Sequence, residues 1–107
     1  MRLQSYTAGN WQSGAGSATT LLDASTGEAV AEAASGGFDF GAMLAHARAV
    51  GGPALRAMTF HERATMLRAL GKRLFDFKDE FYALSYRTGA TRTDSWIDID
   101  GGIGTML

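Results

Sequence analysis

The chain has 107 residues, enough for one domain with a modest hydrophobic core. Its ten basic and eleven acidic residues are interspersed, so it lacks the basic face that nucleic-acid binding requires. The absence of cysteine excludes a disulfide framework, a thiolate metal site and a catalytic thiol among these residues. No apolar run has the length of a signal-peptide core or a membrane span, and we expect a cytoplasmic protein without nucleic-acid or membrane partners.

The first third of the chain predicts two β-hairpins. Gly9 and Asn10 tolerate the positive φ of a tight turn, and residues 25–28 form a second turn signal. The extended segments that these turns separate are residues 3–8, 10–13, 17–23 and 29–34.

Helical periodicity begins after Ser35. Ser35 or Asp39 can cap a first helix, and we expect the run Gly51, Gly52, Pro53 to end it. Asp79 can cap a third helix, which Gly89 would end.

The second helix, residues 59–77, has the clearest signal in the chain. Thr59 and Glu62 have the spacing of a capping box. An apolar stripe at helical spacing follows them, and it predicts that Leu67 and Leu70 are buried.

The last segment gives two conflicting signals. Residues 96–100 alternate apolar and acidic side chains, which alone indicates a strand. A helix opened by Thr93 or Asp94 would instead place Ile97, Gly101 and Thr105 on one stripe. The segment ends on Ile103, Met106 and Leu107, and we expect these apolar residues to need a partner surface.

No residue of this chain is predicted to be catalytic, to bind a cofactor or to bind a metal. A dinucleotide loop needs GxGxxG, but Leu107 occupies the position of the third glycine after Gly102 and Gly104. A zinc-protease helix needs a second histidine four residues after His61, where Thr65 stands.

The polar residues have simple structural interpretations. The acidic residues of the last segment are interpreted as a solvated helix start that complements the helix dipole, with an acidic catalytic pair as the alternative. The basic residues of the second helix are interpreted as its outer face, with a phosphate or CoA site as the alternative. The residues concerned are Asp94, Asp98, Asp100, Arg63, Arg68, Lys72 and Arg73.

The chain resembles the N-terminal segment of aldehyde dehydrogenases along essentially all of its length. The residues that carry the resemblance are Tyr6, Gly9 and Trp11, the turn at residues 26–28, the pair Thr88-Gly89 and the run DSWIDIDGGIGT at 94–105. Ala90-Thr91 stands where typical members continue with Lys-Pro. With this departure, the chain most resembles the hydratase-linked branch of the family. Enzymes of that branch oxidise CoA-thioester semialdehydes in phenylacetate and benzoate breakdown.

The resemblance implies the fold and activity of a longer enzyme. Residues 1–107 would be an α+β piece, two hairpins and three to four helices, of the Rossmann-like α/β cofactor domain. The complete enzyme would use NADP or NAD and would be a homo-oligomer. Its catalytic cysteine and glutamate would lie in the remainder of the polypeptide, so we expect this chain alone to be inactive.

The resemblance also implies a substrate-facing helix. The helix that matches residues 96–107 lines the aldehyde tunnel in related enzymes, where bulky side chains are typical. Gly101 on the stripe of Ile97 and Thr105 would widen that tunnel for a CoA-linked substrate, whereas close helix packing through glycine is the alternative. A different class of function also stays open, namely a free-standing helical binding or assembly module.

Overall fold

The computed structural model describes residues 1–107, which form two compact units. The first unit contains residues 1–22 and 26–57, and the second contains residues 23–25 and 58–107. Two antiparallel two-stranded sheets and one helix belong to the first unit, and three helices belong to the second. This is the predicted α+β class, with two hairpins followed by four helices.

The first hairpin pairs β1, Gln4–Thr7, with β2, Asn10–Ser13. Tyr6 lies opposite Trp11, and their rings meet edge to face at 5.2 Å between centroids. The two turn residues with positive φ are Ala8, at 47°, and Gly9, at 86°. The expectation for Asn10 was wrong, because Asn10 is already the first residue of β2 and only Gly9 of the predicted pair lies in the turn.

The second hairpin pairs β3, Thr19–Leu22, with β4, Ala29–Ala33. Ala31 of β4 is buried and faces Leu21 across the pair. The N-terminus lies alongside β4, since the backbone N–H groups of Leu3 and Glu32 donate to the carbonyls of Glu32 and Met1. The N-terminal residues 1–3 are therefore hydrogen-bonded to β4 of the second hairpin.

Helix α1 runs from residue 40 to residue 57 in three consecutive pieces, Phe40–His46, Ala47–Gly51 and Gly52–Ala57. Asp39 caps it by accepting from the Ala42 N–H at 2.8 Å. The predicted stop at the Gly51, Gly52, Pro53 run was wrong. The piece before Gly52 is a π turn, whose wider ladder relieves the clash and missing donor that Pro53 would bring to a regular helix.

The second unit contains α2, Phe60–Phe75, and α3, Lys78–Arg87, followed by α4. Helix α4 comprises Arg92–Trp96, the π turn Ile97–Gly101 and Gly102–Gly104. Phe77, rather than Asp79, precedes the first turn of α3. Gly89, with φ of 86°, follows its end as predicted. None of the four helices combines the length and apolar content that crossing a bilayer requires.

The capping box of α2 forms as predicted. The Thr59 hydroxyl accepts from the Glu62 N–H at 3.2 Å, and Glu62 Oε2 accepts from the Thr59 N–H at 2.6 Å. Hydrogen bonds from the Thr59 backbone and side chain lower the pKa of Glu62 from its usual value. Local sequence spacing was sufficient here because both partners lie within one turn.

Burial is sparse, and this corrects the prediction for α2. Leu67 and Leu70 are 44% and 48% exposed. The buried position of α2 is Gly71, where an added Cβ would lie 3.3 Å from Met106 Cβ. Ile103 is 5% exposed, so the prediction that it lacks a partner surface was wrong for this residue.

We predict that Leu67→Ala destabilises this chain by about 1 kcal/mol or less, because half of its side chain is already in water. Ile103→Ala is the matched control, and it should cost about 2 to 5 kcal/mol as a core truncation. The measurement is the free energy of unfolding in urea. Equal losses for the two variants would contradict the burial pattern.

Candidate functional site

The predicted stripe on α4 lies on the surface of the second unit. Ile97 is 56% exposed, and Gly101 and Thr105 are also exposed. A Cβ built on Gly101 would meet no atom within 4 Å. Within this chain, therefore, Gly101 is not a close-packing glycine, and the stripe faces open space.

Helix formation at α4 settles the conflict between the two sequence signals in favour of the helix. The cap is Thr91, and not Thr93 or Asp94 as expected. Asp94 instead completes a capping box, since its Oδ2 accepts from the Thr91 N–H at 3.1 Å. Hydrogen bonds from the Thr91 side chain and backbone lower the pKa of Asp94.

The middle of α4 is a π turn, Ile97–Gly101. A wider turn between Ile97 and Gly101 reduces the angular drift that an i, i+4, i+8 stripe accumulates along a regular α-helix. The φ values of Gly101 and Gly102 are −63° and −59°, and the Gly102 N–H donates to carbonyls within the helix. The glycine-rich run is therefore helical backbone and does not form a phosphate loop.

The opposite side of α4 is turned inward. Ser95 is fully buried, and its Oγ lies 2.9 Å from both the Ser85 Oγ and the Thr91 carbonyl. Ile103 is the buried apolar residue of this helix. Ser95 and Ile103 thus lie on the buried face of α4, and the stripe of Ile97, Gly101 and Thr105 lies on its exposed face.

Asp100 is bound from α3 by two side chains. Lys78 Nζ donates to its Oδ1 in a salt bridge, and the Tyr82 hydroxyl donates to its Oδ2 at 2.6 Å. Lys78 and Tyr82 are four residues apart and share one face of α3. The Asp100 side chain is only 18% exposed. The interpretation of Asp100 as a solvated residue at a helix start was therefore wrong.

These hydrogen bonds shift the pKa values of Asp100 and Tyr82. The hydrogen bonds from Lys78 and from Tyr82 lower the pKa of Asp100. Its carboxylate in turn raises the pKa of Tyr82 to about 12 through the hydrogen bond that it accepts. Near neutral pH Tyr82 is thus a hydrogen-bond donor, and it cannot serve as a general base.

An open groove of about 810 Å³ lies beside this cluster in the second unit. Its walls combine aromatic rings with charged side chains, and Tyr82 and Tyr86 meet edge to face at 6.1 Å between centroids. The lining residues are Lys78, Asp79, Tyr82, Ala83, Tyr86, Arg92, Thr93 and Trp96. The lining contains no paired nucleophile and base.

The other candidate residues stay separate. No group of three or more histidine, aspartate or glutamate side chains is arranged to hold a metal ion. Arg73 pairs with Asp76 at 2.8 Å on the surface of α2, as the outer-face interpretation predicted. Sequence reasoning missed Lys78 and Tyr82. Their four-residue spacing is apparent in the sequence, but their shared partner, Asp100, lies 18 to 22 residues away along the chain.

We predict that Tyr82 titrates at about pH 12, above its ordinary value of 10.0. Because the folded-state pKa is raised, the stabilisation from this group is present below pH 10 and disappears between about 10 and 12. The measurement is the ultraviolet phenolate titration of the wild type minus that of Tyr82→Phe. In Asp100→Asn the midpoint should move down, and an unchanged midpoint would contradict the hydrogen bond.

Comparison with known proteins supplies one informative relative. No protein-family model matches the chain. The chain is 41% identical over 107 residues to the 3,4-dehydroadipyl-CoA semialdehyde dehydrogenase of Aromatoleum evansii. This match includes 99% of the chain but spans only 21% of the length of that enzyme. The resemblance to a CoA-semialdehyde dehydrogenase that the sequence motifs indicated is thereby confirmed.

Proposed function

We propose that this sequence is the outer part of the cofactor domain of an NAD(P)-dependent dehydrogenase. The enzyme would oxidise a CoA-linked semialdehyde to the acid in aromatic-acid catabolism. The observation that supports this proposal most directly is the 41% identity to a 3,4-dehydroadipyl-CoA semialdehyde dehydrogenase over the whole chain. In such an enzyme the nicotinamide would supply the oxidising chemistry, and water would supply the second oxygen of the acid.

The chemistry would come from the rest of such an enzyme. This chain has no cysteine to attack the aldehyde. Its residues also do not fit a nicotinamide dinucleotide, because the amide of Gly102 is bonded inside α4 and is not available to a phosphate. The contribution we propose for these residues is the shape of the substrate path.

The structure supports this contribution through Ile97, Gly101 and Thr105. All three are exposed and uncharged, and Gly101 has open space where a side chain would be. A path that admits a CoA thioester needs such room, whereas a small aldehyde does not. We therefore propose that this stripe lines the aldehyde tunnel and that Gly101 widens it.

A large exposed apolar surface favours an additional covering partner. Twenty large apolar side chains are at least 36% exposed, whereas Ala31 and Ile103 are the buried apolar ones. Isolated soluble domains rarely leave so much apolar surface in water. We propose that the remainder of the dehydrogenase polypeptide covers it. The alternative, a free-standing assembly module, would use another protein, and the mass of the native polypeptide carrying this sequence separates the two.

We predict that Gly101→Met in the dehydrogenase lowers kcat/KM for a CoA-linked semialdehyde more than for a short aliphatic aldehyde. The added side chain would occupy space that only the larger substrate needs. Gly101→Ala is the matched control with a minimal side chain. The measurements are the ratio of the two kcat/KM values and the melting temperature. A lower melting temperature with an unchanged ratio would instead indicate that Gly101 packs against a covering segment.

A further inference from the structure

We propose that Asp100 is a positioning residue that fixes the rotation of α4 about its own axis. Lys78 and Tyr82 of α3 hold its carboxylate. The fixed rotation determines the direction in which the stripe of Ile97, Gly101 and Thr105 faces. This inference rests on the proposed function for its consequence, because the aimed stripe is the proposed tunnel wall. The contacts themselves belong to the structure of this chain.

The carboxylate of Asp100 is attached to α3 at two points. Oδ1 of Asp100 accepts from Lys78, and Oδ2 accepts from Tyr82 at 2.6 Å. A carboxylate held at both oxygens by donors on one rigid helix cannot swivel as a singly bonded one can. The Asp100 Cα, and with it the helix turn that carries Gly101, is thereby fixed relative to α3.

The other restraints on α4 are weak. Gly101, Gly102 and Gly104 have no side chains, and a Cβ on any of them would meet no atom within 4 Å. One apolar residue of α4, Ile103, is buried. Ile99 is half-buried, so two apolar residues hold the inward face, and the polar contacts of Ser95 and Asp100 add directional restraint on the rotation of the helix.

Asp100 and Asp98 differ in their attachment. Both are acidic residues of the same π turn, but only Asp100 has polar side-chain partners. Asp98 is exposed and makes no side-chain hydrogen bond or salt bridge. The two residues therefore form a matched pair in which charge and helix are the same and the attachment differs.

The rotation can be measured in the chain itself, which has no cysteine and so accepts a single thiol as a unique reporter. Gly101→Cys and Ser95→Cys place the thiol at an exposed and at a fully buried position, and cysteine is close to serine in size. The measured quantity is the alkylation rate with iodoacetamide at the exposed thiol divided by the rate at the buried thiol. In the background of Tyr82→Phe, which removes one attachment without changing charge, we expect that ratio to fall about 3-fold or more, as loss of an ordinary hydrogen bond would produce.

Tyr86→Phe is the matched control, because Tyr86 lies one turn further along α3 and does not contact Asp100. It should leave the alkylation ratio at the wild-type value. Lys78→Gln is the second perturbing variant and should act like Tyr82→Phe. Both perturbing residues lie on α3, so the reporter's neighbours on α4 are unchanged. Equal ratios in Tyr82→Phe, Lys78→Gln and Tyr86→Phe would overturn the proposal.

The consequence for substrate is tested in the dehydrogenase with Asp100→Asn and Asp98→Asn. Asp100→Asn should raise KM for a CoA-linked semialdehyde more than KM for a short aldehyde, whereas Asp98→Asn should affect both equally. If the wild-type enzyme oxidises the CoA-linked substrate and the two variants behave alike, the positioning role is overturned. If the wild-type enzyme does not oxidise it, the proposed function fails, while the alkylation ratios still decide whether Asp100 fixes the helix.

Discussion

The attachment of Asp100 to α3 is the contact on which the proposed orientation of α4 depends. It joins α3 and α4 through two donors four residues apart, in a unit where Ile103 is the one buried large apolar side chain. The pair Ser85 and Ser95 adds a second polar contact between the same helices. A polar interface of this kind specifies orientation because hydrogen bonds are directional, whereas apolar contact is not.

The glycines of α4 have an unexpected place in this arrangement. Three glycines, Gly101, Gly102 and Gly104, in a 13-residue helix cost conformational entropy, and a Cβ added to any of them would meet no atom within 4 Å. They leave the backbone accessible on the outer side of the helix. The same reasoning links the π turn to the stripe, since π turns frequently occur at functional sites.

Local sequence chemistry predicted much of the fold. The Thr59 and Glu62 box, the Asp39 cap and the Gly89 stop each depend on residues within one turn, and all three are present. The alternation at residues 96–100 predicts a strand by itself, and the helix followed only from the resemblance. The extension of α1 through Pro53 needed a π turn, which no residue pattern in the sequence indicates.

The candidate site was less predictable because its contacts join distant residues. The partners of Asp100 lie on another helix, and Gly71 replaces Leu67 and Leu70 as the buried position of α2. The most direct test is a crystal structure of the proposed dehydrogenase, with a CoA-linked semialdehyde bound. The account predicts substrate atoms within about 4 Å of Gly101, the range of van der Waals contact. A polypeptide segment packed over Gly101, with the substrate elsewhere, would contradict it.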